Sequence, residues 1–581
     1  MEKAILSGNE AIARGFYEVG GSFAAAYPGT PSTEILENIG KYMEIQAQWA
    51  PNEKVALEVA AGAALGGVRT LAAMKHVGLN VAADPLFSLS YQGVNGGLVI
   101  ISADDPSLHS SQNEQDNRWY ARAAKIAMLE PSDSQEAKDF TVLALELSEK
   151  YDTPILLRTT TRLSHSKSIV KLKDRIDIPA KEYVKNISKN VLLPANAKKK
   201  HMLVEKRLQE LSEYGNDCSC NRIEMGGKQL GIVTSGMSYQ YVKEVFPSAS
   251  ILKLGLTNPL PKKLIREFAG QVEQLFVIEE LDPFIEEQIA AMGINVEGKS
   301  RLPLLGEFNK RIVERAFTTD APADKSVLAD LKIPPRPPVL CPGCSHRGVF
   351  YAMKKLKLTI TGDIGCYTLG ALPPLEAMDT CLCMGASIGY AEGLEKTASD
   401  KLKGKIIGVI GDSTFFHSGI TGLIDMVYNQ SKAKICILDN HITAMTGHQE
   451  NPGSGLTLRR GSTTKIDIEA ICRAAAVNKV VKVDPYNLKE TVAVFKEVMQ
   501  MDEPAVIIAD APCVIRERII FSKPYLVDSD KCTKCGICHR IGCPAIEKDE
   551  DGKAKINPLL CIGCDLCRQV CKPGAIFKPK K

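Results

Sequence analysis

No apolar run in this chain reaches the ~18 residues that a membrane-spanning helix needs, so its 581 residues read as a protein that stays out of the bilayer. The start, MEKAILSGNEAIARG, has no charged stretch followed by a long apolar one, and no signal peptide is expected. Charge is almost balanced: 72 Lys and Arg against 68 Asp and Glu leave a formal +4, too little over this length to argue for nucleic acid. The basic tail, Lys578, Lys580 and Lys581, reads as a solvated end. No Gly-x-Gly-x-x-Gly follows a strand-like run, which excludes a nicotinamide domain of the usual kind. Low-complexity tracts are missing too. A hydrophobic content of 45% with 24% charged residues is that of a soluble globular protein. The length calls for roughly three to five domains.

Cysteine is what the chain does have, and it is concentrated. Eight of 18 fall in the last fifty residues. They run Cys532-x2-Cys535-x2-Cys538-x4-Cys543-Pro544, then Cys561-x2-Cys564-x2-Cys567-x3-Cys571-Lys572-Pro573. In the tandem bacterial-ferredoxin pattern each run gives three thiolates to one [4Fe–4S] cluster and its fourth to the other. Cys532, Cys535, Cys538 and Cys571 are then the first set; Cys561, Cys564, Cys567 and Cys543 are the second. Zinc also binds Cys-x2-Cys pairs, but two triplets with a trailing Cys-Pro favour iron and sulfide. The x4 spacing and the Cys-Lys-Pro ending depart from the common form and bear on loop shape and potential. Thiolate-held clusters fit a reducing compartment without disulfides, the cytoplasm of an anaerobe or facultative organism. Cys218 and Cys220, in a polar stretch, read as ordinary free thiols.

The rest of the chain alternates helix-like and strand-like pieces. Residues 9–19 and 53–64 carry helical patterns, and 23–27, 98–101 and 154–157 are short apolar runs. That alternation predicts α/β architecture with a parallel sheet over 1–165. Residues 166–228 form a charged connecting segment with a helix near 202–211. Another α/β stretch covers 229–318, a Pro-rich linker with Pro334, Pro335, Pro337 and Pro338 covers 319–338, a second large α/β domain covers 339–520, and the cysteine-rich unit covers 521–581.

Within 339–520, the run 406–410 ends in Gly411-Asp412-Ser413, and the run 435–438 ends in Asp439-Asn440. Two parallel strands would thus deliver a carboxylate and an amide at their carboxyl ends, where open α/β sheets bind ligands. Such hard oxygen ligands suit Mg2+. The arrangement resembles the thiamine diphosphate motif, which implies Asp412, Asn440 and the Ile442 carbonyl as metal ligands. Ser413 stands where Gly is usual and Asp439 where Asn is usual. The alternative is an Asp that merely caps the next helix. Gly385, in a Gly-rich stretch opening the preceding helix, could let backbone approach phosphate or could serve close packing; both readings stand. Thiamine diphosphate also needs a carboxylate at its aminopyrimidine ring. Glu58, in an Ala/Gly-rich helix, would be poorly solvated with a raised pKa; the alternative is an exposed helix Glu.

The chain resembles the 2-oxoacid:ferredoxin oxidoreductases, and among them the large (alpha) subunits that act on arylpyruvates. The segments that carry the resemblance are GNEAIARG (8–15), YPGTPS (27–32), the Glu58 helix, CPGCSHR (341–347), TGDIGCY (361–367), DTCLCMG (379–385) and the cysteine-rich tail. The match implies two thiamine-binding-type α/β domains, pyrimidine-type over 1–165 and pyrophosphate/Mg-binding over 339–520. It adds a transketolase C-terminal-like domain over 229–318 and a two-cluster ferredoxin-like domain over 521–581. It makes Glu58 the activating carboxylate, puts Thr30 at the substrate carboxylate or carbonyl, and sets His346 and the Cys341 loop near the cofactor. A third cluster on Cys341, Cys344, Cys366 and Cys513 is also implied; the alternative is loop and buried structural thiols. Cys381 and Cys383 are alternative ligands or core.

The implied reaction is oxidative decarboxylation of an arylpyruvate such as indolepyruvate. Coenzyme A accepts the acyl group, and electrons leave one at a time to an external ferredoxin. A smaller beta subunit and an α2β2-type assembly complete the expectation. Two other enzymes remain open, an oxidoreductase for pyruvate or branched-chain acids and a non-oxidative decarboxylase that leaves the tail without a purpose. So does a non-catalytic electron-transfer scaffold with a vestigial thiamine site.

Overall fold

The computed structural model describes residues 2–317 and 337–579. Most of the Pro-rich linker, with Pro334 and Pro335, and the terminal Lys580 and Lys581 lie outside the described residues. The chain divides into two compact units, Met1–Leu331 and Lys332–Lys581. Among the described residues no helix is long and apolar enough to cross a membrane.

The first unit opens with an antiparallel pair, Lys3–Ser7 on Lys167–Lys171. Helix Gly8–Glu18 starts at a capping box, with Ser7 and Glu10 satisfying each other's backbone N–H groups. Its seven-stranded sheet runs Leu256–Asn258, Ala127–Leu129, Ile155–Thr160, Leu98–Asp104, Thr70–Lys75, Phe23–Ala26, Gln46–Trp49. All neighbours are parallel except Leu256–Asn258, an antiparallel edge strand. The central strands are buried along their whole length, as expected where helices cover both faces, with polar residues such as Lys75, Asp104 and Arg158 towards their carboxyl ends.

That edge strand follows directly on Ala249–Leu254, which belongs to a separate four-stranded sheet. Residues 229–318 therefore share a core with 1–165. Leu156, Met128 and Ile100 from one sheet pack with Leu252, Leu254 and Phe284 from the other region. The connecting helix, Pro194–Asp217, buries Val204, Arg207 and Leu211. It extends well beyond the expected 202–211.

The second unit has a six-stranded, wholly parallel sheet, ordered Thr380–Cys381, Thr359–Gly362, Ile406–Gly411, Lys434–Asp439, Ala505–Asp510, Lys479–Val483. Numbered along the chain, that order is 2-1-3-4-6-5. The six parallel strands of the first unit have the same order. One topology thus occurs twice, a repeat that no sequence motif announced. The crevice of such a sheet opens where the order reverses, between strands 1 and 3. After the sheet come two short antiparallel pairs, Leu526–Val527 on Ile576–Phe577, which brings the two ends of the tail together, and the hairpin Ile546–Lys548 on Ala554–Ile556, with the short helices Ile537–Ile541 and Leu566–Val570.

Candidate active site

In the second unit the switch point lies between Thr359–Gly362 and Ile406–Gly411. Four adjacent strand ends each deliver an acid there: Asp363, Asp412, Asp439 and Asp510. Asp412 is buried, and burial pushes its carboxyl up to about 7, helped by the charge of Asp439. Asn451, which the motif reading missed, donates to Asp412 Oδ2 (2.9 Å). Asn440 Oδ1 accepts the Ile442 N–H (3.2 Å), closing a turn that carries the Ile442 carbonyl. Thr443 Oγ1 donates to Ser413 Oγ (2.7 Å). Gly411 has no room for a Cβ, which would stand 2.6 Å from the Tyr367 ring. A desolvated acid raised by a second acid is a donor that a divalent cation would satisfy. Asp412 is such a group, and Asn440 and the Ile442 carbonyl follow the end of the neighbouring strand.

Asp439, His441 and Asp510 form a second set that sequence reasoning missed. Their ligand atoms lie within 4.8 Å of one another. His441 bonds to Asp510 Oδ1 (2.7 Å), which raises the imidazole pKa and lowers that of Asp510. A His directly after the Asp-Asn pair was the available signal.

Of the two readings of Gly385, the structure supports packing. A Cβ there would sit 2.5 Å from Ser418 Cβ, and φ is +87°. Its N–H and that of Ser387 both donate to the Asp363 carboxylate (2.9 and 3.0 Å), so an acid of this chain occupies that helix start. His346 begins helix His346–Lys355, edge-on to Tyr367. Burial, with Arg347 beside it, pushes its pKa down to about 4 and keeps the ring neutral.

The cysteines gather in three sets. Cys532, Cys535, Cys538 and Cys571 line one pocket. Cys561, Cys564, Cys567 and Cys543 line another, together with Pro342, Gly343 and Arg347. Each triplet is thus joined by the fourth cysteine of the other run. In the third set Cys341 and Cys366 lie within electrostatic reach of each other and of Cys513, and Cys344 within reach of Cys366 and Cys341. Burial pushes the Cys344 thiol up to about 12 and Cys366 up to about 11. The Cys513 N–H donates to the Asn440 carbonyl (3.1 Å), tying this set to the strand ends. Cys381 and Cys383 are exposed, which rules out the core reading.

The second and third sets meet. A Cβ on Gly343 would lie 2.2 Å from Ile562 Cδ1, so the two loops rest on each other. The fully buried Arg347 donates to the carbonyls of Leu340, Cys341, Ile541 and Gly542 and lies within reach of Cys341, Cys344, Cys543 and Cys564. The Tyr486 hydroxyl donates to the Gly343 carbonyl (2.8 Å), and its ring lies tilted against Phe521, whose N–H bonds to Ile562 O (2.9 Å).

In the first unit the carboxyl ends of the sheet carry Thr30, Glu53, Lys75 and Asp105. Glu58 does not meet its expectation: its side chain is 44% exposed and ion-paired with Lys54 one turn back. The buried acid of that helix is Glu53, 5% exposed, at its first turn. Its Oε1 lies 2.5 Å from where a Gly78 Cβ would be, so only glycine admits it. Lys75 is buried nearby, and burial pushes its ammonium down to about 8 against the charges of Asp105 and Glu53. Thr30 is half-buried in the turn after Phe23–Ala26.

Two family descriptions match: "Pyruvate flavodoxin/ferredoxin oxidoreductase, thiamine diP-bdg" over residues 14–219 and "Thiamine pyrophosphate enzyme, C-terminal TPP binding domain" over residues 363–509. The indolepyruvate oxidoreductase subunit IorA of Archaeoglobus fulgidus is 43% identical over 100% of this chain and 98% of its own length. That of Methanothermobacter thermautotrophicus is 42% identical over the same shares. A solved 2-oxoglutarate:ferredoxin oxidoreductase from Magnetococcus marinus overlays with a TM-score of 0.45 at 18% identity, over 51% of this chain and 61% of that one. On full-length identity to these subunits, the chain belongs to the indolepyruvate oxidoreductase IorA family, within the 2-oxoacid:ferredoxin oxidoreductases.

Proposed function

We propose that this chain is the thiamine-diphosphate-dependent subunit of an enzyme that oxidatively decarboxylates arylpyruvates, indolepyruvate first among them, with ferredoxin as electron acceptor. Coenzyme A takes the acyl group. The contact between thiol sets carries the reading: Cys513 hangs from Asn440 at the strand ends, and the Cys341–Cys344 loop rests on the Cys561–Cys564 loop. A two-electron oxidation at the switch point therefore has an exit through the tail. All three thiol sets are read as [4Fe–4S] sites, the tail being a two-cluster ferredoxin-like domain.

Bound thiamine diphosphate supplies the electron sink that lets carbon dioxide leave. Asp412, Asn440 and the Ile442 carbonyl would hold its Mg2+, and Gly411 lets the Tyr367 ring pack against the strand end. Glu53, in place of Glu58, is the acid at the aminopyrimidine ring. Holding a proton at a ring nitrogen needs a carboxyl sheltered from water, and of the two only Glu53 is buried. Thr30 positions the substrate carboxylate or carbonyl. His346 stays neutral and adds no charge beside the Cys341 loop. A smaller beta subunit and an external ferredoxin complete the enzyme, in an α2β2-type assembly.

Coexpressed with its small subunit and kept free of oxygen, the holoprotein should lose visible iron–sulfur absorption when indolepyruvate and coenzyme A are added, and should reduce viologen faster with arylpyruvates than with pyruvate. Clusters that never bleach would refute the proposal. Faster turnover of pyruvate would move the protein to a different 2-oxoacid.

A further inference from the structure

Cys218 and Cys220 are not the ordinary thiols that their polar surroundings suggest. Both are buried, 7% and 4% exposed. Their sulfurs lie 2.6 Å apart, closer than two unbonded sulfurs normally approach. The Cys220 N–H points at Cys218 Sγ (3.4 Å), and the Tyr214 hydroxyl lies 3.5 Å from the same sulfur.

The turn that holds them is fixed at both ends. It leaves helix Pro194–Asp217 and enters strand Arg222–Glu224. The next residue, Asn221, donates to the Gly215 carbonyl (2.8 Å) and accepts the N–H groups of Gly255 (2.7 Å) and Leu256 (2.9 Å). One side chain thus clasps the helix to the strand that crosses between the two sheets, and the thiol pair sits directly before it.

The two thiols differ in acidity. The bond from Cys220 pushes the Cys218 thiol down to about 6, against the effect of burial, while Cys220 is pushed up. One sulfur is therefore a ready nucleophile at neutral pH and the other keeps its proton. Lone buried thiols elsewhere behave differently: burial alone pushes Cys436 up.

We propose that Cys218 and Cys220 form a redox-active dithiol, separate from the three iron-binding sets, that a hydroperoxide oxidises to an intrachain disulfide. The Cys218 thiolate attacks a peroxide oxygen. The O–O bond breaks, Cys218 becomes a sulfenic acid, and the released hydroxide takes a proton to leave as water. Cys220 sulfur then attacks Cys218 sulfur; the S–S bond forms, the S–O bond breaks, and the second oxygen leaves as water with the Cys220 proton. Two thiols and one hydrogen peroxide give one disulfide and two waters, with two electrons passing from sulfur to oxygen. The product would lock the turn that carries the Asn221 clasp.

The sequence offers a clean readout, because trypsin releases residues 208–222 as one peptide holding both thiols and no other cysteine. The intact, cluster-loaded protein is treated with hydrogen peroxide in steps until its visible absorption bleaches. It is then quenched with N-ethylmaleimide in denaturant and digested. Before peroxide the peptide should carry two maleimides. Afterwards it should carry none and be lighter than the free dithiol peptide by two hydrogens, and dithiothreitol should restore both sites. The Cys436 peptide should keep its maleimide throughout. In Cys220→Ser, Cys218 should instead be trapped by dimedone as the sulfenic acid. Two maleimides retained at full bleaching would overturn the proposal, as would loss of Cys436 in step with the pair or sulfenic acid on Cys220 in Cys218→Ser.

Discussion

Glu53 and Glu58 lie on one helix and meet different surroundings. Five residues is about one and a half turns, enough to put one carboxylate against Gly78 and the other into solvent beside Lys54. A Glu53→Gln change should cut arylpyruvate-dependent viologen reduction by roughly 10^2–10^4-fold, the usual worth of a positioned acid or base. Glu58→Gln should leave it within about twofold, since a half-exposed i,i+4 pair contributes little. A large loss in Glu58→Gln with Glu53→Gln near the parent would return the role to Glu58. His76 gives a residue-level pH test. It is fully buried, and burial together with Lys75 pushes its pKa down to about 4. An unfolded chain takes up that proton near pH 6.5, so the unfolded form gains as pH falls from there towards 4. Between pH 7 and pH 5 this one group should cost the folded apoprotein about 2 kcal/mol. His76→Gln should flatten the fall in urea midpoint over that window; an unchanged slope would assign the pH dependence to other groups.

At the scale of elements, the join between the Cys341–Cys344 loop and the tail depends on Arg347. Its buried guanidinium serves carbonyls on both sides, Leu340 and Cys341 on one and Ile541 and Gly542 on the other. Removing it leaves buried acceptors without a donor. Arg347→Gln should lower stability by about 2–4 kcal/mol and speed proteolysis between the sheet and the tail. A tail that stays as resistant as in the parent would mean that the apolar contact of Gly343 with Ile562 suffices alone. The elements themselves were largely legible. Helices 9–19 and 53–64 and the buried strands follow from cap residues and apolar runs, which act over a few positions. The role of Arg347 was not legible, because the partners that make it a bridge, Ile541 and Gly542, lie almost two hundred residues further along the chain.

At the scale of the molecule, both units carry the same 2-1-3-4-6-5 sheet although their sequences show no repeat. Hydrogen-bonded strand order tolerates almost any set of apolar side chains, so the topology persists where the letters do not. The number of clusters is also decided here. The anaerobically purified chain should carry about twelve irons, four per thiol set, and Cys513→Ala should lower this to about eight. About eight in the parent, unchanged in the variant, would make Cys341, Cys344, Cys366 and Cys513 structural thiols.

Sequence alone determined what depends on spacing between near neighbours: the two cysteine triplets, the Gly-Asp and Asp-Asn strand ends, the α/β alternation and, through resemblance, the family. Tertiary structure decided what depends on distance through space. It buried Glu53 and exposed Glu58, gave Asp363 the helix start at Gly385, brought Asn451 to Asp412, and pressed Cys218 against Cys220 under the Asn221 clasp. The reason is common to all of these: solvation and charge act over a few ångströms in space, and a linear sequence records that proximity only where the chain happens to be local.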